Sequence, residues 1–168
     1  MPGDIEKILA ALTDASVEYL VVGGVAVVLH GHLRVTADLD IVLKLDPPNV
    51  ERAMQVLQEL GFRPRAPVPL SDFSNAAIRE SWVIDKGLTV LSLWSPDRPG
   101  FELDLFVREP FDFESTSSRA VRVQLDNSTT MVVSIPDLIA LKKEAGRPRD
   151  LEDISALRNL SHSDGKDS

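Results

Sequence analysis

The sequence contains no cysteine and few aromatic residues. Only 5% of its 168 residues are Phe, Trp or Tyr. The absence of cysteine excludes disulfides, thiolate nucleophiles and cysteine-ligated metal sites, and it fits a reducing compartment. Because 43% of the residues are nonetheless hydrophobic, the core must be built mainly from Leu, Val, Ile and Ala. This composition is that of an ordinary globular protein.

Long apolar runs and a basic leader are also missing. No segment approaches the roughly 18 apolar residues that a membrane-spanning helix needs. Residues 1–10 lack a basic start followed by an apolar stretch. We therefore expect a cytoplasmic protein with no membrane contact. The length predicts a single domain over residues 1–160, and the polar end of the chain predicts a disordered tail over residues 161–168.

Positive charge is scarce, since the formal net charge is −8. A protein whose whole surface grips nucleic acid needs clustered Lys and Arg, so this balance argues against that mode of binding. One basic cluster exists at residues 142–149, KKEAGRPR. On its own, such a cluster is typical of a solvated helix end.

Apolar spacing divides the chain into helices and strands. Helical spacing or capping residues predict helices at residues 4–15, 23–30 and 47–60, and further helices starting near 136 and at 148. Apolar runs predict strands at residues 17–22, 38–45, 88–94, 101–107, 120–125 and 130–135. The last four strands should form two antiparallel hairpins. Three prolines in residues 63–74 predict a surface loop without regular structure.

A pair of adjacent glycines and a pair of aspartates mark the stretch from residue 21 to residue 45. Gly23 and Gly24 follow a strand and open a helix, so backbone N–H groups there can approach an anion without a Cβ in the way. Asp38 and Asp40 share one face of the next strand, because side chains two residues apart in a strand point the same way. Such close carboxylates repel unless a cation lies between them. Oxygen ligands beside a phosphate site suit Mg²⁺ and a nucleoside triphosphate.

A third carboxylate is needed if two metal ions are to act on one phosphate. Asp104 in FELDLF is the best candidate. Leu103 and Leu105 should face the core, which leaves Asp104 and the fallback choice, Glu102, on the other face. Pairing with the strand of the aspartate pair would bring Asp104 within reach.

These residues resemble the nucleotidyltransferases of the polymerase-beta type. The family pattern is a Gly-Gly or Gly-Ser turn, a D-x-D about a dozen residues later, and a third acid on a later strand. Here those features are Gly23 with Gly24, Asp38 with Asp40, and Asp104.

The fuller match lies in GGVAVVLHGHLRVTADLDI and IPDLIALKKEAGRPRDLEDISAL. These segments look like the small bacterial branch related to the abortive-infection nucleotidyltransferase toxins of toxin–antitoxin pairs. The resemblance spans residues 17–160, apart from the proline-rich loop. It implies an α/β (α+β) fold with a mixed sheet flanked by helices and a site on one open face.

The resemblance also implies roles for single residues. Asp38, Asp40 and Asp104 would bind two Mg²⁺ ions, and Asp104 would also take the proton of the attacking hydroxyl. Gly23 and Gly24 would seat the triphosphate of an NTP such as ATP. Four further residues would be second-rank contacts to phosphate or site loops: Arg34, Thr36, Lys142 and Arg147. Asp150 and Asp153 are expected to orient these cations rather than to bind metal.

The leading functional hypothesis is Mg²⁺-dependent transfer of a nucleoside monophosphate to a hydroxyl of RNA or protein, as the toxin partner of an antitoxin protein. A second hypothesis keeps the chemistry and makes the acceptor an aminoglycoside or lincosamide antibiotic. A third is a catalytically silent relative that binds nucleotide or a partner protein. Both a monomer and a homodimer remain open.

Two other readings of the motifs have less support. The glycine turn lacks the third glycine of a dinucleotide-binding G-x-G-x-x-G motif, and the acids precede the second apolar run instead of ending it. His30 and His32 are expected to cap a helix or face solvent.

Overall fold

The structure, a computed structural model, describes residues 3–165. Its helices are α1 (Gly3–Asp14), α2 (Gly23–Leu29), α3 (Pro47–Glu59), α4 (Ala76–Lys86), α5 (Phe113–Arg119), α6 (Ile135–Ala145) and α7 (Pro148–Asp164). Its strands are β1 (Tyr19–Val22), β2 (Asp38–Leu43), β3 (Arg63–Pro64), β4 (Val90–Trp94), β5 (Glu102–Phe106), β6 (Val121–Gln124) and β7 (Thr129–Val132). These elements confirm the predicted α/β fold, in which helices flank a mixed sheet.

The strands of the described chain form one sheet, in the order β3-β4-β5-β2-β1-β7-β6. β2 pairs parallel with β5, and β1 pairs parallel with β7. The other neighbouring strands pair antiparallel, which confirms the two predicted hairpins, β4–β5 and β6–β7. The parallel pairing places β5 directly beside β2, although β3 and β4 lie between them in sequence.

The two faces of the central strands differ in chemistry. Leu39 and Ile41 of β2, and Leu103 and Leu105 of β5, are fully buried at 0% exposure. Successive side chains in a strand point to opposite faces, so the acids between these residues lie on the other face. The apolar face fixes the strands to the core and leaves the acidic face partly open.

Residues 63–74 contain more regular structure than the sequence predicts. Arg63 and Pro64 form an edge strand with β4, and a 3₁₀ turn at Leu70–Ser74 buries Leu70 and Phe73. An edge strand tolerates proline because it leaves one row of backbone N–H groups unpaired. The prediction of an irregular loop was wrong for these two segments.

The chain end is helical further than predicted. No proline or glycine interrupts residues 149–164, and α7 continues to Asp164, so its last turn occupies the start of the predicted tail. Residues 166–168 lie outside the described part of the chain. Among residues 3–165, no helix is both long and apolar enough to cross a membrane.

Candidate active site

The acids of β2 and β5 meet on the open face of the sheet. Asp40 lies directly opposite Asp104 in the parallel register, and Asp38 lies opposite Glu102. Asp40 and Asp104 are partly buried, whereas Asp38 is exposed at the start of its strand. β4 adds Ser92, whose Oγ donates a hydrogen bond of 2.6 Å to Asp104 Oδ1. Three adjacent strands thus place their polar residues in one small area.

Burial and neighbouring negative charges make Asp40 and Asp104 hard to ionise. Burial, followed by the charges of Asp104 and Asp38, raises the pKa of Asp40 to about 7, although Lys142 and Arg147 partly offset this. Burial also raises the pKa of Asp104, against the lowering effect of the hydrogen bond from Ser92. Near neutral pH, Asp40 is therefore only partly ionised unless a cation joins the pair.

The acids fit a divalent cation by their chemistry, but they do not form a finished metal cage. Among residues 3–165, no three acidic or histidine side chains are arranged to hold one metal ion together. Asp40 and Asp104 nevertheless offer two neighbouring carboxylates, and neither forms a salt bridge in this part of the chain. Two neighbouring carboxylates repel each other, and a bound Mg²⁺ ion, which prefers oxygen ligands, would relieve this repulsion. Asp38 is the further carboxylate available on the same face.

The glycine turn packs directly against the acids. Gly23 has φ +68°, and a Cβ there would stand 2.8 Å from the carboxyl carbon of Asp40. A Cβ on Gly24 would stand 2.9 Å from Thr36 Oγ1 and 3.2 Å from Arg34 Nη1. Gly23 is therefore required by its backbone conformation and by the close approach of Asp40, whereas a Cβ on Gly24 would displace the ends of the Thr36 and Arg34 side chains. The role of both glycines in seating a triphosphate stays a prediction.

Ion pairs with acids of α7 hold three cations near the site; those of Lys142 and Arg34 are largely buried, whereas the Arg147 side chain, at the N-cap of α7, is mostly exposed. Lys142 is 5% exposed, and its Nζ lies 2.8 Å from Asp153 Oδ2 and 3.6 Å from Asp150 Oδ1. The same Asp153 oxygen lies 2.5 Å from Arg34 Nη1. Arg147 Nε lies 2.7 Å from Asp150 Oδ2. The structure thus shows Asp150 and Asp153 orienting the cations.

The pairing also changes the pKa of one of these acids. Burial would raise the pKa of Asp150, but hydrogen bonds from Arg147 and the charges of Arg147 and Lys142 lower it overall. Asp150 therefore keeps its negative charge although it is 2% exposed.

Comparison with solved structures identifies the fold of this chain. No protein-family model and no curated protein matches the sequence. The lincosamide antibiotic adenylyltransferase LnuA, solved with lincomycin bound, aligns with a TM-score of 0.64 over 95% of this chain and 98% of that chain, at 15% identity. ANT(2″)-Ia, solved with adenylyl-2″-tobramycin, aligns with a TM-score of 0.56 over 91% of this chain and 84% of that chain, also at 15% identity. The chain has a nucleotidyltransferase fold.

Within this nucleotidyltransferase fold, several of the predicted site residues line one cavity of about 110 Å³. Gly23, Asp40, Lys142 and Arg147 all line it, together with Asp150. Arg34 and Thr36 lie beside Gly24, and Asp104 lies across the strand pair from Asp40. The structure therefore gathers most of the predicted residues around the turn between β1 and α2, whereas Asp38 and Asp104 share the open face of the sheet without lining this cavity.

Two contacts of the site, one made by Ser92 and one made by Arg34, were not predicted from the sequence. Ser92 is the polar residue in the middle of VLSLW, and it lies opposite Asp104 in the β4–β5 hairpin. Counting residues outward from the SPDRPG turn would have predicted this pairing. The contact between Arg34 and Asp153 had no local signal, since it joins distant parts of the chain. His30 lies outside the site and bonds through Nε2 to the Val133 carbonyl at 2.7 Å.

Proposed function

We propose that this chain is a metal-dependent nucleotidyltransferase that transfers a nucleoside monophosphate from a nucleoside triphosphate to a hydroxyl of a small-molecule acceptor. The observation that carries the proposal is the pair of carboxylates Asp40 and Asp104 on adjacent parallel strands. Beside them stand the Gly23 turn and the cations Lys142 and Arg147. A cytoplasmic location, where nucleoside triphosphates are available, is part of the proposal.

The reaction gives Asp104 a task beyond metal binding. The acceptor oxygen attacks the α-phosphorus, the bond from that phosphorus to the β-bridging oxygen breaks, and pyrophosphate leaves. Asp104 takes the hydroxyl proton, a role that suits a carboxyl whose pKa is raised by burial. Two Mg²⁺ ions held by Asp40, Asp104 and Asp38 would supply the charge neutralisation that phosphoryl transfer needs.

The cations beside the site suit the triphosphate. Lys142 and Arg147 line the same cavity as Gly23 and Asp40. Because Asp150 and Asp153 hold these cations in place, their charges are oriented before a ligand arrives. Positioned donors of this kind stabilise negative charge without a reorganisation cost at the moment of reaction.

A small molecule fits better than RNA or protein as the acceptor. The two structural neighbours were solved with an antibiotic and with an adenylylated antibiotic. The net charge of −8 opposes a polyanionic acceptor such as RNA. The role of a toxin with an antitoxin partner therefore has less support than transfer to an antibiotic.

The test offers Mg²⁺ and each of four α-labelled triphosphates to the purified protein. Lincomycin, tobramycin, total RNA and bulk protein serve as acceptors in parallel, and an Asp38→Asn, Asp40→Asn double variant is the control. We expect label on a small molecule only with the intact aspartates. Label on RNA or protein instead would refute the acceptor class. If nothing is labelled and Mg²⁺ with nucleotide leaves the melting temperature unchanged, the chain is a catalytically silent relative.

A further inference from the structure

A second cavity, of about 490 Å³, opens beside the candidate active site. We call it the α4–α6 groove. Its walls are Val83, Leu88, Phe106 and Leu141, and its rim carries Glu109 and Glu144. A mostly apolar concavity of this volume with a few polar groups is typical of sites for small organic ligands.

The α4–α6 groove adjoins the site. Phe106, Leu141 and Ala145 line both this groove and the smaller cavity that contains Asp40 and Lys142. Phe106 also shares the open face of β5 with Asp104, two residues earlier, about 6.6 Å along the strand. A ligand that packs on Phe106 therefore lies two strand residues from Asp104, the acid that we assign as the base, although Asp104 itself lines neither cavity.

Charge separates the two sides of the carboxylate pair. The cations Lys142 and Arg147 act on Asp40, whereas the polar neighbours of Asp104 on β4 and on its own strand are Ser92 and Glu102, the latter paired with Arg65. A triphosphate is therefore favoured on the Asp40 side. The side of Asp104, whose charged neighbours Asp38 and Glu102 are acidic, remains for an acceptor that is neutral or positively charged.

The rim of the groove is negative. The guanidinium of Arg108, which also lines the groove, is neutralised by an ion pair with Glu80. Glu109 accepts a hydrogen bond of 3.0 Å from the Leu45 N–H. Glu144 is exposed and forms no ion pair within residues 3–165. A cationic group on a ligand would find an unpaired carboxylate here.

We propose that the α4–α6 groove is the acceptor subsite, and that it selects an amphipathic acceptor whose apolar body lies on Phe106 and Leu141 and whose single cationic group lies near Glu144. This inference rests on the proposed function and names its substrate class. It predicts preference for lincomycin, which has one amine on a largely carbon framework, over the polycation tobramycin. The nucleobase of the triphosphate is the rival occupant, and the experiment below separates the two.

The test measures binding by calorimetry in the presence of Mg²⁺ and a non-hydrolysable triphosphate. The probes are lincomycin, tobramycin and octyl glucoside, an uncharged amphiphile with hydroxyls. Thr89→Trp fills the groove from an exposed position and keeps the backbone bond from the Val107 N–H. Glu144→Gln removes the rim charge, and Glu152→Gln, at an exposed acid of α7, is the matched control.

We expect Thr89→Trp to weaken binding of lincomycin by about tenfold or more, because it displaces the apolar body of the ligand. Glu144→Gln should weaken the binding of lincomycin by about two- to fivefold, since an exposed charge pair contributes little, and it should leave the binding of octyl glucoside unchanged. Glu152→Gln should change the binding of neither lincomycin nor octyl glucoside. Triphosphate binding, titrated separately, should be the same in all three variants.

Three results would overturn the inference while leaving the proposed function intact. One is unaltered lincomycin binding in Thr89→Trp; the second is a loss of triphosphate binding in that variant, which would assign the groove to the nucleobase. The third is absence of binding for all three probes, with triphosphate binding retained, which would also refute the acceptor subsite. Failure of the wild-type protein to bind triphosphate with Mg²⁺ would refute the proposed function itself.

Discussion

Gly23 and Gly87 both have positive φ, but only Gly23 lies against a charged side chain. At Gly87, with φ +63°, an added Cβ would meet nothing within 4 Å, whereas at Gly23 it would collide with the Asp40 carboxyl group. A substitution at Gly87 therefore measures backbone strain alone, whereas a substitution at Gly23 measures backbone strain together with a steric clash. Strain in the left-handed region alone costs about 1 kcal/mol.

We expect Gly87→Ala to lower the free energy of unfolding by about 1 kcal/mol. Gly23→Ala should lower it by about 2–4 kcal/mol, because the carboxyl group must also move. Gly23→Ala should abolish nucleotidyl transfer, and Gly87→Ala should retain it. Urea unfolding of both variants checks the stabilities, and equal losses would show that the contact with Asp40 is unimportant.

The raised pKa of Asp40 makes a prediction about stability and pH. Its pKa is about 7 in the folded chain, against about 3.9 for an unfolded aspartate. The folded state therefore binds more protons between these values, so this group lowers the free energy of unfolding as pH rises from about 4 to about 7. The destabilisation is complete above pH 7.

Asp40→Asn removes that titration. In metal-free buffer, the variant should be more stable than the wild-type protein at pH 8, by on the order of 1–3 kcal/mol. The difference should vanish towards pH 4. Thermal melts with EDTA across this range check it, with Glu51→Gln, at an exposed acid of α3, as the control. A constant difference at all pH values would refute the assigned pKa.

At the scale of elements, local pattern predicted strands better than helices. The hairpin of β4 and β5 was predictable because apolar residues alternate on both sides of a Pro- and Gly-containing turn. α4 was not predicted, because its inward side includes the buried Arg79 and conceals the helical period. Its signals were only the N-cap Asn75 and the C-cap Gly87, and α5 similarly depends on the cap at Asp112.

The site was predictable residue by residue but not as an arrangement. Alternation in β2 and β5 placed Asp38, Asp40 and Asp104 on open faces. It could not reveal that Asp104 would lie opposite Asp40 instead of Asp38, because the register of β2 with β5 depends on packing between strands far apart in sequence. The contact between Arg34 and Asp153 could not be predicted for the same reason, because it joins parts of the chain that are far apart in sequence.

Asp153 joins three elements of the site. One of its oxygens accepts from both Lys142 of α6 and Arg34 of the loop after α2. Asp153→Asn would leave the buried Lys142 with only the more distant Asp150. We expect a loss of about 1–3 kcal/mol in the free energy of unfolding, because a buried charge loses its closest partner.

The same variant should raise the KM for the triphosphate, because Lys142 and Arg34 are no longer held in place. Steady-state kinetics and urea unfolding measure the two effects, and Glu152→Gln is the neighbouring control on α7. Wild-type stability and KM in Asp153→Asn would show that Asp150 alone suffices to orient the cations.

At the scale of the whole molecule, the charge balance bears on the acceptor. The chain carries 18 Lys and Arg against 26 Asp and Glu. Lys142 and Arg147, close to the site, are held in ion pairs, so the field at a distance is that of a polyanion. Such a field attracts a cationic acceptor and repels RNA.

This field predicts how transfer depends on salt. The kcat/KM for a cationic acceptor should fall by about two- to tenfold between about 0.02 M and about 0.5 M salt, because screening shortens the range of the attraction. An uncharged hydroxyl acceptor should show little change at the same triphosphate and Mg²⁺ concentrations. Comparing the two acceptors removes effects of salt on triphosphate binding, which both reactions share. If kcat/KM for the cationic acceptor stayed constant or rose with salt, recognition would depend on the apolar walls of the α4–α6 groove without help from the net charge.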